Sequence, residues 1–279
     1  MTVKTQKQGV LYISANDELL REAVISGRSV AKHNPNIRIG LVTDEPPDKD
    51  IFDDVFESKL EGGFSDKPLH MQLPYEKTIY LDTDTLINGS LSPIFDTLNR
   101  FGIAATHNYT NSSRQTCENE DIPIGFPEYN TGVIGLRRST AVRDFLNSWK
   151  KEFEHRPDLR PGDQPSFRSA LYKSDLRIAT LPQEYNCMFR YPGCVTGNIV
   201  VFHGRLMDIN SEGASKRYSA DRAQRELNQQ KSTRAFAPRI FGGFKIITSP
   251  TKLYKLQHRY DEGGLTGVCR SVIKRLFPT

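Results

Sequence analysis

Through the first ~200 residues, short apolar runs alternate with amphipathic stretches, the pattern of strands and helices taking turns. Gly9-Val10-Leu11-Tyr12-Ile13-Ser14 reads as a buried strand, and Ala15-Asn16-Asp17 follows as a loop able to cap a helix. Leu20, Ala23, Val24, Gly27, Val30 and Ala31 then recur at helical spacing up to the break at His33-Asn34-Pro35. A second apolar run, Ile37 to Val42, ends in Thr43-Asp44. Strand, helix and strand within about 35 residues predict a crossover unit and a parallel sheet, with a nucleotide-type pocket at the strand ends carrying Ser14, Asn16, Thr43 and Asp44.

The pattern continues downstream. A weaker strand falls near Val55-Phe56, and Lys67 to Leu73 predicts a short helix opened by Pro68. Ile79-Tyr80-Leu81 is a third apolar run, Leu91 to Arg100 looks helical with Pro93 in its first turn, and Gly102 to Thr106 is another strand. From His107 to Glu128 the chain is polar and irregular, a length typical of a lid or binding loop, with disorder as the alternative. Tyr129 to Leu136 returns to strand character. The stripe Val142, Phe145, Leu146, Trp149 and Phe153 gives the helix Thr140 to His155 a packing face. Gly162-Asp163-Gln164-Pro165 opens a further helix with Asp163 as its cap, and Arg177 to Leu181 and Asn198 to Phe202 predict two more strands.

Composition narrows the class. A chain of 279 residues accommodates one large α/β domain, or a domain with an extension, and no window approaches the ~18 apolar residues of a membrane span. The polar start Met1 to Lys7 is unlike a signal peptide, and Cys117, Cys187, Cys194 and Cys269 have no Cys-x-x-Cys or zinc spacing. These features predict reduced thiols and a cytoplasmic protein. The net charge of +5 is uneven, with 14 Lys+Arg against 5 Asp+Glu from Ser211 onward, so the tail carries +9 and the rest −4. No aromatic-basic motif accompanies that surplus, so it does not point to nucleic acid.

Candidate chemistry begins at Asp82-Thr83-Asp84, where the third apolar run stops. Two carboxylates one residue apart at a strand end can serve one centre, and a divalent cation is the natural counter-charge to their repulsion. A turn whose aspartates stay solvated and cap the next segment gives the same triplet. Asn130-Thr131-Gly132, Asp163-Gln164 and His203-Gly204 follow at other predicted element ends. Singly, Asn130 reads as a turn residue, Asp163 as a cap and His203 as a core histidine; their order sets them apart.

As an ordered set over roughly Val10 to Gly204, these segments resemble the GT-A fold glycosyltransferases, most closely family 8, which includes glycogenin and bacterial galactosyltransferases. The matching residues are Tyr80-Leu81-Asp82-Thr83-Asp84-Thr85, Tyr129-Asn130-Thr131-Gly132-Val133, Gly162-Asp163-Gln164 and Val201-Phe202-His203-Gly204. The resemblance implies an α/β GT-A catalytic domain over residues 1–210, with residues 211–279 as a basic C-terminal extension. It implies that Asp82, Asp84 and His203 hold Mn²⁺ or Mg²⁺, with Asp82 also near the donor ribose. Lys67 would reach the donor sugar or phosphate, Ser14, Asn16, Thr43 and Asp44 would line the nucleoside pocket, and Asn130, Asp163 and Gln164 would face the transferred sugar. The family's lysine-bearing run after the histidine is missing from His203-Gly204-Arg205-Leu206-Met207-Asp208, where Arg205 could substitute as the phosphate donor.

The activity so implied is metal-dependent transfer of a hexose, with retention, from a nucleotide-diphosphate sugar, UDP-linked by preference, to a glycan, lipid-linked or protein acceptor. A catalytically silent sugar-nucleotide or carbohydrate-binding protein is one alternative. A sugar nucleotidyltransferase is another, although Ser14-Ala15-Asn16-Asp17-Glu18 lacks its glycine-rich basic loop. In the tail, Phe236, Ile240, Phe241, Phe244, Ile246 and Ile247 accompany the charge, and Val268, Val272, Ile273, Leu276 and Phe277 share a helical face beside Arg270, Lys274 and Arg275. This pattern predicts peripheral docking on an anionic membrane, with packing against the catalytic domain as the alternative.

Overall fold

A computed structural model describes residues 7–45, 47, 51–108, 122–155, 162–204, 220–229, 232–239, 242–248, 260, 261 and 263–266. Its strands are β1 (Gln8–Ser14), β2 (Arg38–Thr43), β3 (Asp54–Glu57), β4 (Lys77–Leu81), β5 (Thr85–Ile87), β6 (Ile103–His107), β7 (Tyr129–Arg137), β8 (Ile178–Thr180), β9 (Cys187–Met188), β10 (Gly193–Val195), β11 (Val201–His203), β12 (Arg234–Pro238) and β13 (Phe244–Thr248). The helices are α1 (Asp17–His33), α2 (Asp66–His70), α3 (Ser92–Thr97), α4 (Thr140–Glu154), α5 (Gln164–Tyr172) and α6 (Ala220–Asn228).

Seven strands form the central sheet in the order β3-β2-β1-β4-β7-β6-β8. All run one way except β7, which is antiparallel to both β4 and β6. The apolar run of β1 is unbroken because both its faces are covered. Val10 and Tyr12 enter the core under α1 and α3, while Leu11 and Ile13 enter the one under α4 and α5. Tyr80 of β4 faces the second core, between Ile79 and Leu81, which face the first. Asn16 caps α1 as its sequence suggests, accepting from Leu19 N at 3.0 Å.

Two small sheets complete the fold, β5-β11-β9 and β10-β12-β13. The second joins strands from both sides of position 210, and a third core packs Cys187, Phe189, Val195, Ile199 and Phe202 against Ala223, Leu227, Phe236 and Phe244. Burial of Phe236 and Phe244 corrects the expectation that they face a membrane. An apolar ring gains as much from a protein core as from lipid, and here the core is within reach. Ile247 is exposed, whereas Ile240, Phe241 and Val268 to Phe277 lie outside the described residues. Burial pushes the Cys187 thiol up and keeps it protonated, and Cys194 is a free exposed thiol. Among the described residues no helix is long and apolar enough to cross a membrane.

Most of the long polar segment after His107 also lies outside the described residues, but its return is anchored. Arg168, 1% exposed, donates to the carbonyls of Pro123 and Phe126. Phe236→Ala should cost about 3–5 kcal/mol by opening the third core, lowering the urea midpoint of the whole chain. An unchanged midpoint would show that residues 220–248 contribute nothing to the stability of the catalytic body.

Candidate active site

The Asp-x-Asp segment leaves the sheet at the end of β4 and is tied down on several sides. Asp82 N donates to Gly132 O (2.8 Å), and Thr85 Oγ1 donates to Asp82 O (2.8 Å). Since the Thr85 hydroxyl proton is spent there, Ser26 Oγ must donate to Thr85 (2.9 Å) and Tyr12 to Ser26 (2.8 Å), a buried relay fixing the turn to α1. Thr83 Oγ1 donates to the buried Glu22 (2.8 Å), so the middle residue of the triplet is held as well.

The chain then enters β5, which pairs antiparallel with β11 so that Thr85 lies opposite His203. That pairing closes the long sequence gap. His203 Nε2 stands 3.3 Å from Asp84 Oδ1 and 3.6 Å from Asp82 Oδ2, and the three ligand atoms lie within 4.8 Å of one another. Gly132 permits this approach, because a Cβ there would stand 2.1 Å from His203 Cε1. On the far side of the ring, Nδ1 is 2.7 Å from Asn186 Oδ1, while Asn186 Nδ2 donates to Asn130 Oδ1 at 2.8 Å. An amide oxygen only accepts, so Nδ1 carries the proton and Nε2 is directed at the carboxylates. Two carboxylate oxygens and an imidazole nitrogen, the latter oriented by a hydrogen bond from behind, fit a divalent cation.

Lys67 forms the second polar centre. Its ammonium lies 2.9 Å from Asp82 Oδ1 and 3.1 Å from Asp163 Oδ2, and it donates to Thr131 O (3.2 Å) and Thr131 Oγ1 (3.3 Å). Burial works to lower its pKa, but the Asp163 and Asp82 carboxylates outweigh burial and raise it, so Lys67 stays charged. Tyr80 donates to Asp82 Oδ1 at 2.7 Å, and burial together with that carboxylate raises its pKa, keeping the phenol protonated. Asp163 stands at the N-cap position of α5 but makes no capping bond, which corrects the expectation of a cap. Its side chain serves Lys67 instead. Its backbone carbonyl accepts from Trp149 Nε1 (3.2 Å) and Ser166 Oγ (2.8 Å), so the tryptophan holds Asp163 as well as packing.

These groups line a cavity of ≈ 370 Å³ that also includes Ile13, Ala15, Leu19, the Gly62-Gly63-Phe64 loop, Asp66, Asn130, Gln164, Met188 and Arg190. The loop is shaped by Asp66, whose carboxylate accepts the backbone N–H groups of Glu61, Gly62 and Gly63. Ser14, Asn16, Thr43 and Asp44 are not among the lining residues. Ser14 and Thr43 are buried, Asn16 is spent on its cap, and Asp44 is exposed. Asn130 Oδ1 already accepts from Gly132 N (3.0 Å) and Asn186, and its NH₂ donates at 3.5 Å to Asn108 Oδ1. Arg205 lies outside the described residues. Sequence reasoning missed Asn186 and Glu22, whose single polar letters carry no periodicity or motif, and also Arg190.

A mostly parallel sheet with one reversed strand, and an Asp-x-Asp turn at its carboxyl edge, defines the chain as a GT-A glycosyltransferase. The chain belongs to Glycosyl transferase family 8, whose profile matches residues 71–211. Its fold is similar to an active-site mutant of LgtC (TM-score 0.55, 14% identity, covering 71% of this chain and 87% of that one). It is also similar to the galactosyltransferase LgtC in complex with donor and acceptor sugar analogs (TM-score 0.53, 14% identity, 77% and 90% covered). At this identity the likeness is one of fold. No curated protein matches the sequence.

Gly132→Ala should displace the imidazole and lower Mn²⁺ affinity at least ~10-fold, and Asn186→Ala should lower it by about 10–100-fold. Titration of Mn²⁺ followed by electron paramagnetic resonance reads both effects, with the thermal midpoint as the folding control. Wild-type affinity in a folded Gly132→Ala protein would remove His203 from the ligand set.

Proposed function

We propose that this chain transfers a hexose from a UDP-linked sugar to a glycan, lipid-linked or protein acceptor, with a divalent cation and with retention. The observation that carries the reading is the convergence of Asp82, Asp84 and His203 on one wall of a cavity that also holds Lys67, Asp163 and Gln164. Two carboxylates and one imidazole suit Mn²⁺ somewhat better than Mg²⁺. When bound, the cation supplies Lewis-acid stabilisation of the leaving nucleotide diphosphate.

Asp82, Asp84 and His203 are the residues that would hold that cation. Lys67, whose ammonium is already desolvated and charged, lies where a donor hydroxyl or phosphate oxygen can replace one of its carboxylate contacts. Gln164, at the first position of α5, faces the transferred sugar with an amide. An amide is a poor nucleophile, and the nearby carboxylates are committed: Asp163 to Lys67, Asp66 to backbone N–H groups. This supports departure and attack on the same face of the sugar, the donor's own diphosphate taking the acceptor proton, over a double displacement.

For the acceptor, the +9 surplus from Ser211 onward supports an anionic, membrane-associated surface on the cytoplasmic side. Ala223, Leu227, Phe236 and Phe244 belong to a core, so charge substitution is a cleaner probe than truncation. Replacing Arg270, Lys274 and Arg275 together by Glu should abolish co-sedimentation with acidic liposomes at low salt; equal partitioning would refute the membrane reading.

A panel of nucleotide sugars with Mn²⁺ should release nucleotide fastest from a UDP-sugar, and Asp84→Asn should lower turnover by at least ~100-fold, an upper-range cost for a lost charged contact. Proton NMR of the first-formed product should show the donor's anomeric configuration. An inverted product would end the retention proposal, and absence of any release across the panel, with hydroxyl acceptors supplied, would end the transferase reading for this site.

A further inference from the structure

Two cationic side chains line the cavity, and they differ in what surrounds them. Lys67 is held between two carboxylates. Arg190 has no hydrogen bond or ion pair among the described residues; its guanidinium makes only a contact over the Tyr191 ring, 5.1 Å from the centroid. Its Nε is buried and unpartnered. An orphaned buried donor costs about 1–3 kcal/mol unless something else satisfies it, so it calls for an explanation.

Its position supplies one. β9 runs parallel to β11 with Met188 opposite His203, and Arg190 follows in the turn that Tyr191 N closes on Met188 O (3.0 Å), so that Met188, Arg190 and His203 all line the cavity. Its Cδ lies 3.8 Å from where a Cβ on Gly204 would stand, so its stem passes directly beside the residue after the proposed metal ligand. The cavity therefore presents a two-carboxylate cation site and, next to it, a guanidinium without a counter-charge among the described residues. A ligand that bridges them must carry anionic oxygens for the cation and further oxygens for a planar N–H fork.

We propose that Arg190 grips the diphosphate of the donor, a role that the sequence alone assigned to Arg205. The proposal rests on the reading of the donor as a nucleotide-diphosphate sugar. In the ground state the guanidinium fixes the phosphate against the wall formed by β9 and β11. As the bond from the anomeric carbon to the phosphate oxygen breaks, both bonding electrons go to the diphosphate, the acceptor hydroxyl oxygen bonds to that carbon and passes its proton to the diphosphate, and the guanidinium stabilises the charge gained there.

The test uses the full chain and compares Arg190→Met, which keeps the stem, Arg190→Lys, and Arg205→Met. Binding of inorganic diphosphate and of UDP is measured by calorimetry in the presence of Mn²⁺, with Mn²⁺ binding alone and the thermal midpoint recorded for each variant. Arg190→Met should weaken both diphosphate and UDP by about 10–100-fold while leaving Mn²⁺ affinity unchanged, and Arg190→Lys should recover part of the loss, because an ammonium restores charge without the fork. Wild-type diphosphate affinity in Arg190→Met, or a loss confined to Arg205→Met, would overturn the assignment. Should the Met variant fail to fold, Arg190→Lys decides, and full affinity for both ligands would then overturn the bidentate grip. A wild-type chain that binds Mn²⁺ but neither diphosphate nor UDP would instead overturn the donor reading itself.

Discussion

The antiparallel pairing of β5 with β11 is the constraint on which the site depends. It is three residues long on each strand, yet it sets His203 opposite Thr85 and so beside both aspartates. The pairing is supported from both directions. Thr85 is bound through Ser26 and Tyr12 to α1 and β1, while Phe202 is packed into the third core. A slip of one residue in this register would turn His203 to the opposite face and leave two carboxylates repelling each other. Catalytic geometry here is a matter of strand register.

Around that pairing the polar groups form one network. Lys67 joins Asp82 to Asp163, Tyr80 adds a hydrogen bond to Asp82, and Asn186 links His203 to Asn130. A charge as buried as Lys67 persists because two carboxylates and the two Thr131 oxygens surround it. Removing either carboxylate would leave buried charge imperfectly compensated, at a cost on the order of 3–5 kcal/mol. The cluster is therefore preorganised, its polar groups already desolvated and oriented.

Residues 220–248 change the view of the C-terminal portion. A basic, partly apolar tail reads from sequence as an appendage, but Phe236 and Phe244 complete a core whose other wall, Phe189 and Phe202, leads into Arg190 and His203. Stability of this portion and the geometry of the site are thus mechanically linked.

The sequence by itself determined the elements and much of the site. Unbroken apolar runs marked β1, β2, β4, β6 and β7 because strands covered on both faces have no polar side to show, and helical spacing marked α1 and α4. The Asp-x-Asp turn, the Asn-x-Gly strand, Asp163-Gln164 and His203 were legible as an ordered set. Only the tertiary structure decided which groups meet. β11 was legible as an apolar run, but strands as short as β5, β9 and β10 leave too few residues for a periodic signal, so the pairing that delivers His203 to the aspartates could be expected only from the family resemblance. Asp163 looked like a cap until Lys67, distant in sequence, was seen to claim its carboxylate; Asn186 and Arg190 matter for what stands beside them. The local code records backbone preference and burial, whereas the partner of a charge or hydrogen bond is chosen by long-range packing.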